Sequence, residues 1–199
     1  LFEMQVCRSL PFLKWATPQI SSKLNGKGPA WEADNLFRFY TQVKPSLIRV
    51  DADEVTYPAH IILRYRLERA IIAKDLSLND LPSAWNDAML DLLGVAPTTD
   101  TDGCLQDIHW FDGAWGYFPT YTLGAMTAAQ LFKAACTKNK MVLDGIVKGN
   151  FSYLKDWLVK NIHSKGRLLN TSELLINATG EPLNSHIFIE HLKNRYGKL

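Results

Sequence analysis

Residues 56–74 read TYPAHIILRYRLERAIIAK, and this stretch carries a long helical pattern. Pro58 suits the first turn of a helix, because the N–H group that proline lacks has no partner there in any case. The apolar residues of the stretch predict one helix with a buried side, formed by Ile61, Tyr65, Leu67, Ile71 and Ile72.

The same periodicity continues along the rest of the chain, whereas the period-two alternation of strands is short and rare. The sequence therefore predicts a mainly α protein, in which residues 1–199 form a single region. The other helices are expected at 1–16, 31–43, 82–94, 123–136, 151–163, 172–178 and 185–196. Thr17 and Pro18 are expected to end the first of them.

The composition and net charge of the chain indicate which kinds of partner to expect, and its cysteines and first residues indicate the cellular compartment. The chain has 47% hydrophobic residues, enough for a sizeable core, and a formal net charge of only +2. We therefore expect neither a nucleic-acid nor a membrane partner. Three widely spaced cysteines without a CxxC pair, and first residues that lack a secretory signal, favour a cytoplasmic protein. The lack of an initiator methionine suggests a truncated or processed start.

Common catalytic motifs are absent from the sequence. No histidine begins an HExxH pattern, whose two imidazoles bind zinc and whose glutamate acts as general base. The nearest sequence, from His186 to His191, spaces its two histidines five residues apart, on different faces of a helix. The GxSxG, GxGxxG and GKS/T motifs are missing as well. No residue of the chain is therefore predicted to bind a metal.

Residues 48–53, IRVDAD, alternate apolar and charged side chains. This alternation predicts a short extended segment near 47–53 with Arg49, Asp51 and Asp53 on one face. Arg49 would either join a salt-bridge network with carboxylates or face an anionic ligand, because a guanidinium can donate two parallel hydrogen bonds to a carboxylate. The residues alone leave both possibilities open and favour the network.

Residues 103–110, GCLQDIHW, form a second unusual segment, and many aromatic residues follow it. Alternation would place Asp107 and His109 on one face and Gln106 on the other. Asp107 could then orient His109 or raise its basicity. Phenolic hydroxyls that could donate to a developing oxyanion belong to Tyr117 and Tyr121. An aromatic packing loop is the alternative explanation, and the residues alone favour it.

Together, these segments resemble the signature motifs of the thermostable carboxypeptidase (Taq-type) family of zinc metallocarboxypeptidases. Residues 48–53 match its (I/V)RxxAD motif, and residues 103–110 match its GxxQDxHW motif. Residues 54–57, 116–121 and 178–183 are also similar to this family. The HExxH helix and the later HES motif, which supply the family's metal ligands, lie upstream of everything in this sequence, so the chain resembles the C-terminal part of a longer enzyme.

The resemblance implies the C-terminal region of a zincin-like, mostly helical metallopeptidase with a deep groove. It implies a broad-specificity carboxypeptidase that releases C-terminal residues from peptides, uses zinc or cobalt when complete, and is usually a homodimer. Arg49 would bind the C-terminal carboxylate of the peptide. The catalytic candidates are Tyr117, Tyr121 and His109, and the further substrate-binding candidates are Gln106 and Asp107.

Three functional hypotheses remain open at this point. The chain is either an incomplete carboxypeptidase that holds no zinc and is inactive alone, a non-enzymatic helical module that binds peptides or a partner protein, or one half of a split enzyme. We favour the first. Self-association or association with a missing N-terminal half is expected, because an incomplete enzyme would expose apolar surface.

Overall fold

The computed structural model describes residues 1–197, which form helices joined by turns and loops. No strand occurs within this range, which confirms the predicted mainly α class. The α-helices of these residues are α1 (Leu10–Leu24), α2 (Ala33–Tyr40), α3 (Tyr57–Ala73), α4 (Leu81–Leu93), α5 (Pro119–Lys138), α6 (Met141–Val147), α7 (Ser152–Asn161), α8 (Thr171–Thr179) and α9 (Ser185–Tyr196). None of these helices is long and apolar enough to cross a membrane.

The chain divides into two compact units, and a separate apolar cluster lies in each. Unit 1 comprises Leu1–Gln42 and the chain from Ala125 onwards. Its core contains Val6, Ala135, Val142, Ile146, Leu154 and Leu158. Unit 2 comprises Val43–Gly124. Its core contains Leu63, Leu67, Trp85, Met89, Leu93 and Cys104. The single region expected for residues 1–199 stays a prediction.

In unit 1, α1 packs against α2 and α6, and α6 packs against α7. The first helix does not end at Thr17 as predicted, because Pro18 lies inside α1. A proline in a helix removes one backbone hydrogen bond. The helix nevertheless continues to Leu24, because Leu13 and Ala16 are buried and hold the helix against the rest of unit 1.

In unit 2, α3 and α4 pack against each other. Pro58 lies in the first turn of α3, and this helix ends where Lys74 adopts a left-handed conformation with φ 64°. Gly94 ends α4 in the same way, with φ 70°. The predicted extents of these two helices, 56–74 and 82–94, are therefore confirmed to within one residue at each end.

The buried side of α3 is more polar than the sequence pattern predicts. Tyr65 and Ile72, which were expected in the core, are 45% and 63% exposed. Instead, His60, Arg64 and Glu68 are buried, four residues apart and therefore along one face of the helix. Buried polar groups need hydrogen-bond partners. Arg64 and Glu68 find most of theirs in the second signature segment, residues 103–110, whereas the ring of His60 has none among the described residues.

The predicted extended segment near 47–53 is wrong. Arg49–Asp51 forms a single 3-10 turn, in which Arg49 is buried and Val50 is 68% exposed. A strand needs a neighbouring strand for its backbone hydrogen bonds, and none exists within residues 1–197. The backbone N–H of Arg49 donates instead to the side chain of Gln106 over 2.9 Å.

Candidate functional site

Gln106 joins the first signature segment (residues 48–53) to the second (residues 103–110). Its Nε2 donates to the carbonyl oxygens of Leu47 and Asp102, over 3.1 and 2.8 Å. Its Oε1 accepts from the backbone N–H of Arg49 over 2.9 Å and from Nη2 of Arg64 over 2.8 Å. The amide thus uses both of its donors and both of its acceptor positions, so that it fixes the two segments together beside α3.

Asp107 shares its carboxylate between two arginines. Arg49 donates to Oδ1 from Nε over 3.1 Å and from Nη2 over 2.6 Å, and Arg64 donates to Oδ2 from Nε over 2.6 Å. Burial alone would raise the pKa of Asp107, but the hydrogen bonds and charges of both guanidinium groups hold it below its ordinary value. Two cations and one anion leave this Arg49–Asp107–Arg64 triad with a net positive charge.

Gln106 and Asp107 therefore point toward the same arginines, although alternation predicted opposite faces. Residues 103–110 form a series of turns and not an extended run. Turns allow successive side chains to point in similar directions, so the period-two rule for strands does not hold here.

Arg64 has a more deeply buried environment than Arg49. Its side chain is inaccessible to solvent, donates to the carbonyl oxygen of His60 over 3.0 Å, and lies 4.6 Å from the ring centre of Trp85. Burial lowers the pKa of Arg64 to about 10, although the charge of Asp107 opposes this shift. Burial, the largest single effect, lowers the pKa of Arg49, but the hydrogen bonds and charges of Asp107 and Tyr57 together outweigh it and raise the pKa above its ordinary value.

Arg49 retains hydrogen-bonding capacity. Asp107 accepts from Nε and from Nη2, and the hydroxyl of Tyr57 accepts from Nη1 over 2.5 Å. A guanidinium has five N–H groups, so one hydrogen on each terminal nitrogen has no partner in the part of the chain that the structure describes. The rings of Tyr57, Phe118 and Tyr121 lie 5.6, 5.9 and 5.0 Å from the guanidinium carbon. The network has formed, yet it leaves two N–H groups of Arg49 without a partner among the described residues.

His109 forms a hydrogen bond with a tyrosine and not with the neighbouring aspartate. Its Nε2 and the hydroxyl of Tyr121 lie 2.8 Å apart. Its Nδ1 lies 3.9 Å from Oδ1 of Asp107, which is too far for a hydrogen bond. Asp107 and His109 therefore share no hydrogen bond, although they lie at ion-pair distance, and the expectation that Asp107 orients His109 or raises its basicity stays a prediction. The ring of His109 packs on Phe118, with centres 4.4 Å apart.

Tyr117 and Tyr121 lie side by side at the start of α5. Their ring centres are 5.4 Å apart, and Tyr117 is 49% exposed. Burial raises the pKa of Tyr121, and the opposing charge of Arg49 does not cancel this effect. Its hydroxyl therefore keeps its proton at neutral pH and can act as a hydrogen-bond donor. Both tyrosines and His109 thus lie within one aromatic cluster beside Arg49.

Asp53 has a structural role in the turn before α3. Its Oδ1 accepts from the backbone N–H groups of Val55 and Thr56, and its Oδ2 accepts from the hydroxyl of Thr56 and the backbone N–H of Lys44. It therefore stabilises the turn that leads into α3, as an N-terminal cap does, and it contacts neither arginine of the triad by a hydrogen bond.

Three residues of the site were not predicted from the sequence: Tyr57, Arg64 and Glu68, which lie on α3 and contact the signature segments. The signal was present in part: His60, Arg64 and Glu68 follow one another at helical spacing. A row of polar residues usually marks the solvent side of a helix. This row is buried, and its hydrogen-bond partners Gln106, Asp107 and Trp110 lie far along the chain.

Metal binding finds no support among the described side chains. No group of three His, Cys, Asp or Glu residues that could hold a metal ion occurs in residues 1–197. In unit 2, the oxygens of Asp107 are engaged by arginines and those of Asp53 by the turn before α3. The residues present therefore do not fit the metal ion that the family resemblance implies.

Comparison with known proteins supports the resemblance. The model of the family described as Carboxypeptidase Taq (M32) metallopeptidase matches residues 1–196. Carboxypeptidase 1 of Bacillus subtilis is 44% identical over 167 residues, which cover 83% of this chain and 33% of that protein. Thermostable carboxypeptidase 1 of Thermus thermophilus is 40% identical over 199 residues, which cover 100% of this chain and 39% of that protein.

The fold agrees with a solved structure as well. The structure of Trypanosoma cruzi metallocarboxypeptidase 1 matches with a TM-score of 0.94 and 40% sequence identity, over 98% of this chain and 41% of that chain. This chain therefore spans only about two fifths, or less, of the length of the proteins that it matches.

Proposed function

Because this chain belongs to the Carboxypeptidase Taq (M32) metallopeptidase family, we propose that it forms the part of a metal-dependent carboxypeptidase that binds the C-terminal end of a peptide. The observation that carries the proposal is the pair of unused N–H groups on Arg49, beside the hydroxyl-bearing ring of Tyr121. A planar pair of N–H donors suits a carboxylate. The complete enzyme would release C-terminal residues from peptides with broad specificity.

In this proposal, Arg49 binds the terminal carboxylate of the peptide, and its neighbours hold it in place. The net positive charge of the Arg49–Asp107–Arg64 triad favours an anion, and burial strengthens that attraction. Asp107 fixes the guanidinium plane through Nε and Nη2. Gln106 fixes the backbone of Arg49. Both residues contribute to substrate binding by positioning Arg49, without needing to touch the peptide.

The aromatic cluster supplies the second part of the proposed site. A tetrahedral intermediate at the scissile carbonyl carries a negative oxygen, and a fixed hydroxyl donor lowers its free energy. Tyr121 and the more exposed Tyr117 provide such donors. Tyr121 and His109 share a 2.8 Å hydrogen bond. Tyr121 can donate to the oxyanion when Nε2 of His109 carries the proton and donates to the tyrosine oxygen, because the phenol has a single O–H.

We further propose that the metal, zinc or cobalt, is held by residues of the enzyme outside these 199, so that the chain alone is inactive. The unit 2 residues then bind the substrate, whereas the metal-binding part of the enzyme, outside these 199 residues, activates the water. We also propose that the complete enzyme is cytoplasmic and forms a homodimer.

A proposed partner surface lies on the loop between α4 and α5. Its exposed apolar residues are Leu105, Ile108, Phe111, Trp115 and Tyr117, which are 53%, 64%, 67%, 44% and 49% exposed. Exposed apolar patches mark sites of association. We propose that this surface contacts the remainder of a family-length enzyme, and that the chain alone self-associates through it.

The proposal is tested by titrating the chain with N-acetyl-alanyl-alanine and with the C-terminal amide of the same dipeptide, observed by NMR. We expect the acid to bind about tenfold more tightly than the amide, since only the acid offers a charged partner to Arg49. Arg49→Lys should remove most of this preference, because lysine lacks the paired donors. The exposed Arg66 provides a matched control, and Arg66→Lys should change nothing.

Equal affinity for acid and amide in the unsubstituted chain would overturn the proposal. Binding of the acid without turnover, even when a separately expressed N-terminal part of a family enzyme is added, would favour the alternative of a non-enzymatic peptide-binding module.

A further inference from the structure

Glu68 is a buried carboxylate to which none of the roles above is assigned. It lies on α3 and is 4% exposed. Its Oε2 accepts from the indole Nε1 of Trp110 over 3.0 Å, and its Oε1 accepts from the backbone N–H of Gly116. One carboxylate therefore binds both ends of the loop 110–116.

The loop 110–116 needs such an anchor because it has no regular secondary structure. Gly113 and Gly116 have φ values of 72° and 79°, a conformation that favours glycine. Inside the loop, Trp110 stacks on Trp115 with ring centres 5.8 Å apart and meets Trp85 edge to face. The backbone hydrogen bonds of the loop are turn-like and local, and they do not tie it to α3.

The two anchored positions lie next to the aromatic cluster of the proposed site. His109 directly precedes Trp110, and Tyr117 directly follows Gly116. The rings of His109 and Tyr117 are 5.8 Å apart, although the two residues are eight positions apart along the chain. A shift of either loop end would therefore move one of these side chains relative to the other.

We infer that Glu68 is a positioning residue, which holds His109, Tyr117 and Tyr121 at the peptide site by fixing both ends of the loop 110–116. The part of this inference that concerns peptide rests on the proposed function. The part that concerns the loop rests on the two hydrogen bonds alone.

The two acceptor oxygens of Glu68 suggest a substitution that tests this inference. A carboxylate has two acceptor oxygens, so it can accept from Trp110 and Gly116 together. Glutamine has nearly the same shape but only one acceptor oxygen. In Glu68→Gln, the amide NH₂ would therefore face one of two N–H donors, and one hydrogen bond would be replaced by two opposed donors.

The first experiment measures solvent exchange of the Trp110 indole N–H and the Gly116 amide in the full chain by NMR. We expect Glu68→Gln to speed the exchange of at least one of the two by about tenfold or more, which corresponds to the loss of one hydrogen bond, and to shift the ring signals of His109 and Tyr117. Asp91→Asn, which removes an exposed carboxylate from α4, is the control and should change neither rate. Unchanged exchange in Glu68→Gln would overturn the inference.

If Glu68→Gln does not fold, Trp110→Phe serves in its place. It removes one donor and keeps an aromatic ring in the stack. The Gly116 amide should then stay protected while the His109 signals move, and immobile His109 signals would overturn the inference.

The second experiment titrates the same variants with N-acetyl-alanyl-alanine. We expect about tenfold weaker binding to Glu68→Gln and unchanged binding to Asp91→Asn, in the range found when supporting residues of a site are removed. If the unsubstituted chain does not bind the dipeptide, the proposed function fails, whereas the exchange rates still decide the role of Glu68 in the loop. If exchange changes and affinity does not, the assignment of Glu68 to the peptide site is overturned.

Discussion

The buried imidazole of His60 predicts a loss of stability in mild acid. His60 is inaccessible to solvent, and neither ring nitrogen has a hydrogen-bond partner in residues 1–197. Burial, then the charges of Arg64 and Arg49, lower the pKa of His60 to about 4. Asp107 and Asp53 act in the opposite direction without cancelling this shift. Protonation would place a third cation beside the two arginines.

The size of the effect follows from the difference between the folded and unfolded states. An unfolded histidine titrates near 6.5, whereas the folded value is about 4. Between these values the unfolded chain binds more protons, so the free energy of unfolding falls as the pH decreases. From pH 7 to pH 5 the loss is about 2 kcal/mol. It begins as the pH falls below 6.5 and stops growing below about 4.

Urea unfolding at pH 7 and pH 5, followed by far-UV circular dichroism, measures this loss. We expect His60→Leu to remove about 2 kcal/mol of the pH dependence, because leucine has a similar volume and no proton to bind. At pH 7 the variant should be at least as stable as the unsubstituted chain, since it removes two unpartnered nitrogens. The exposed His163 provides the control, and His163→Gln should keep the full pH dependence. If His60→Leu keeps the same pH dependence, the loss of stability does not come from His60.

Three further predictions concern stability and are checked by urea unfolding at pH 7. Asp107→Asn leaves two buried guanidinium groups without their anion and should cost about 3–5 kcal/mol; a loss below about 1 kcal/mol, as expected for Asp91→Asn, would contradict the triad. Asp53→Ala removes the acceptor of the turn before α3 and should cost about 1–2 kcal/mol, as the loss of a helix cap does, and an unchanged midpoint would refute its role in this turn. Gly149→Ala places a Cβ against the Trp15 ring at a residue with φ 71° and should cost more than about 1 kcal/mol, so a stabilised variant would show that this packing is wrong.

The elements with local signals could be predicted from the sequence. Pro58 marks the first turn of α3, and Gly94 marks the end of α4, because both act through their own backbone. The signature segments could likewise be recognised as unusual, and their resemblance to the carboxypeptidase family is confirmed.

The contacts inside the site could not be predicted in the same way, because they join distant residues. Arg49 and Asp107 are 58 positions apart, and nothing near residue 49 shows that its partner is a buried carboxylate. The alternation in residues 48–53 therefore suggested a strand, whereas the side-chain partners select a 3-10 turn. For the same reason, the sequence did not show that the polar side chains of His60, Arg64 and Glu68 on α3 are buried. The roles of Tyr117, Tyr121, His109, Arg49, Gln106 and Asp107 toward a substrate stay predictions.

We propose that this chain binds the peptide while other residues of the enzyme hold the metal. One sample of purified chain, verified by intact mass and equilibrated with zinc or cobalt, allows metal content, dipeptide binding and hydrolysis of N-acetyl-alanyl-alanine to be measured together. If this proposal is right, the chain binds the dipeptide acid in preference to its amide, holds no stoichiometric metal and hydrolyses nothing. Stoichiometric metal with hydrolysis, or equal affinity for acid and amide, would contradict it.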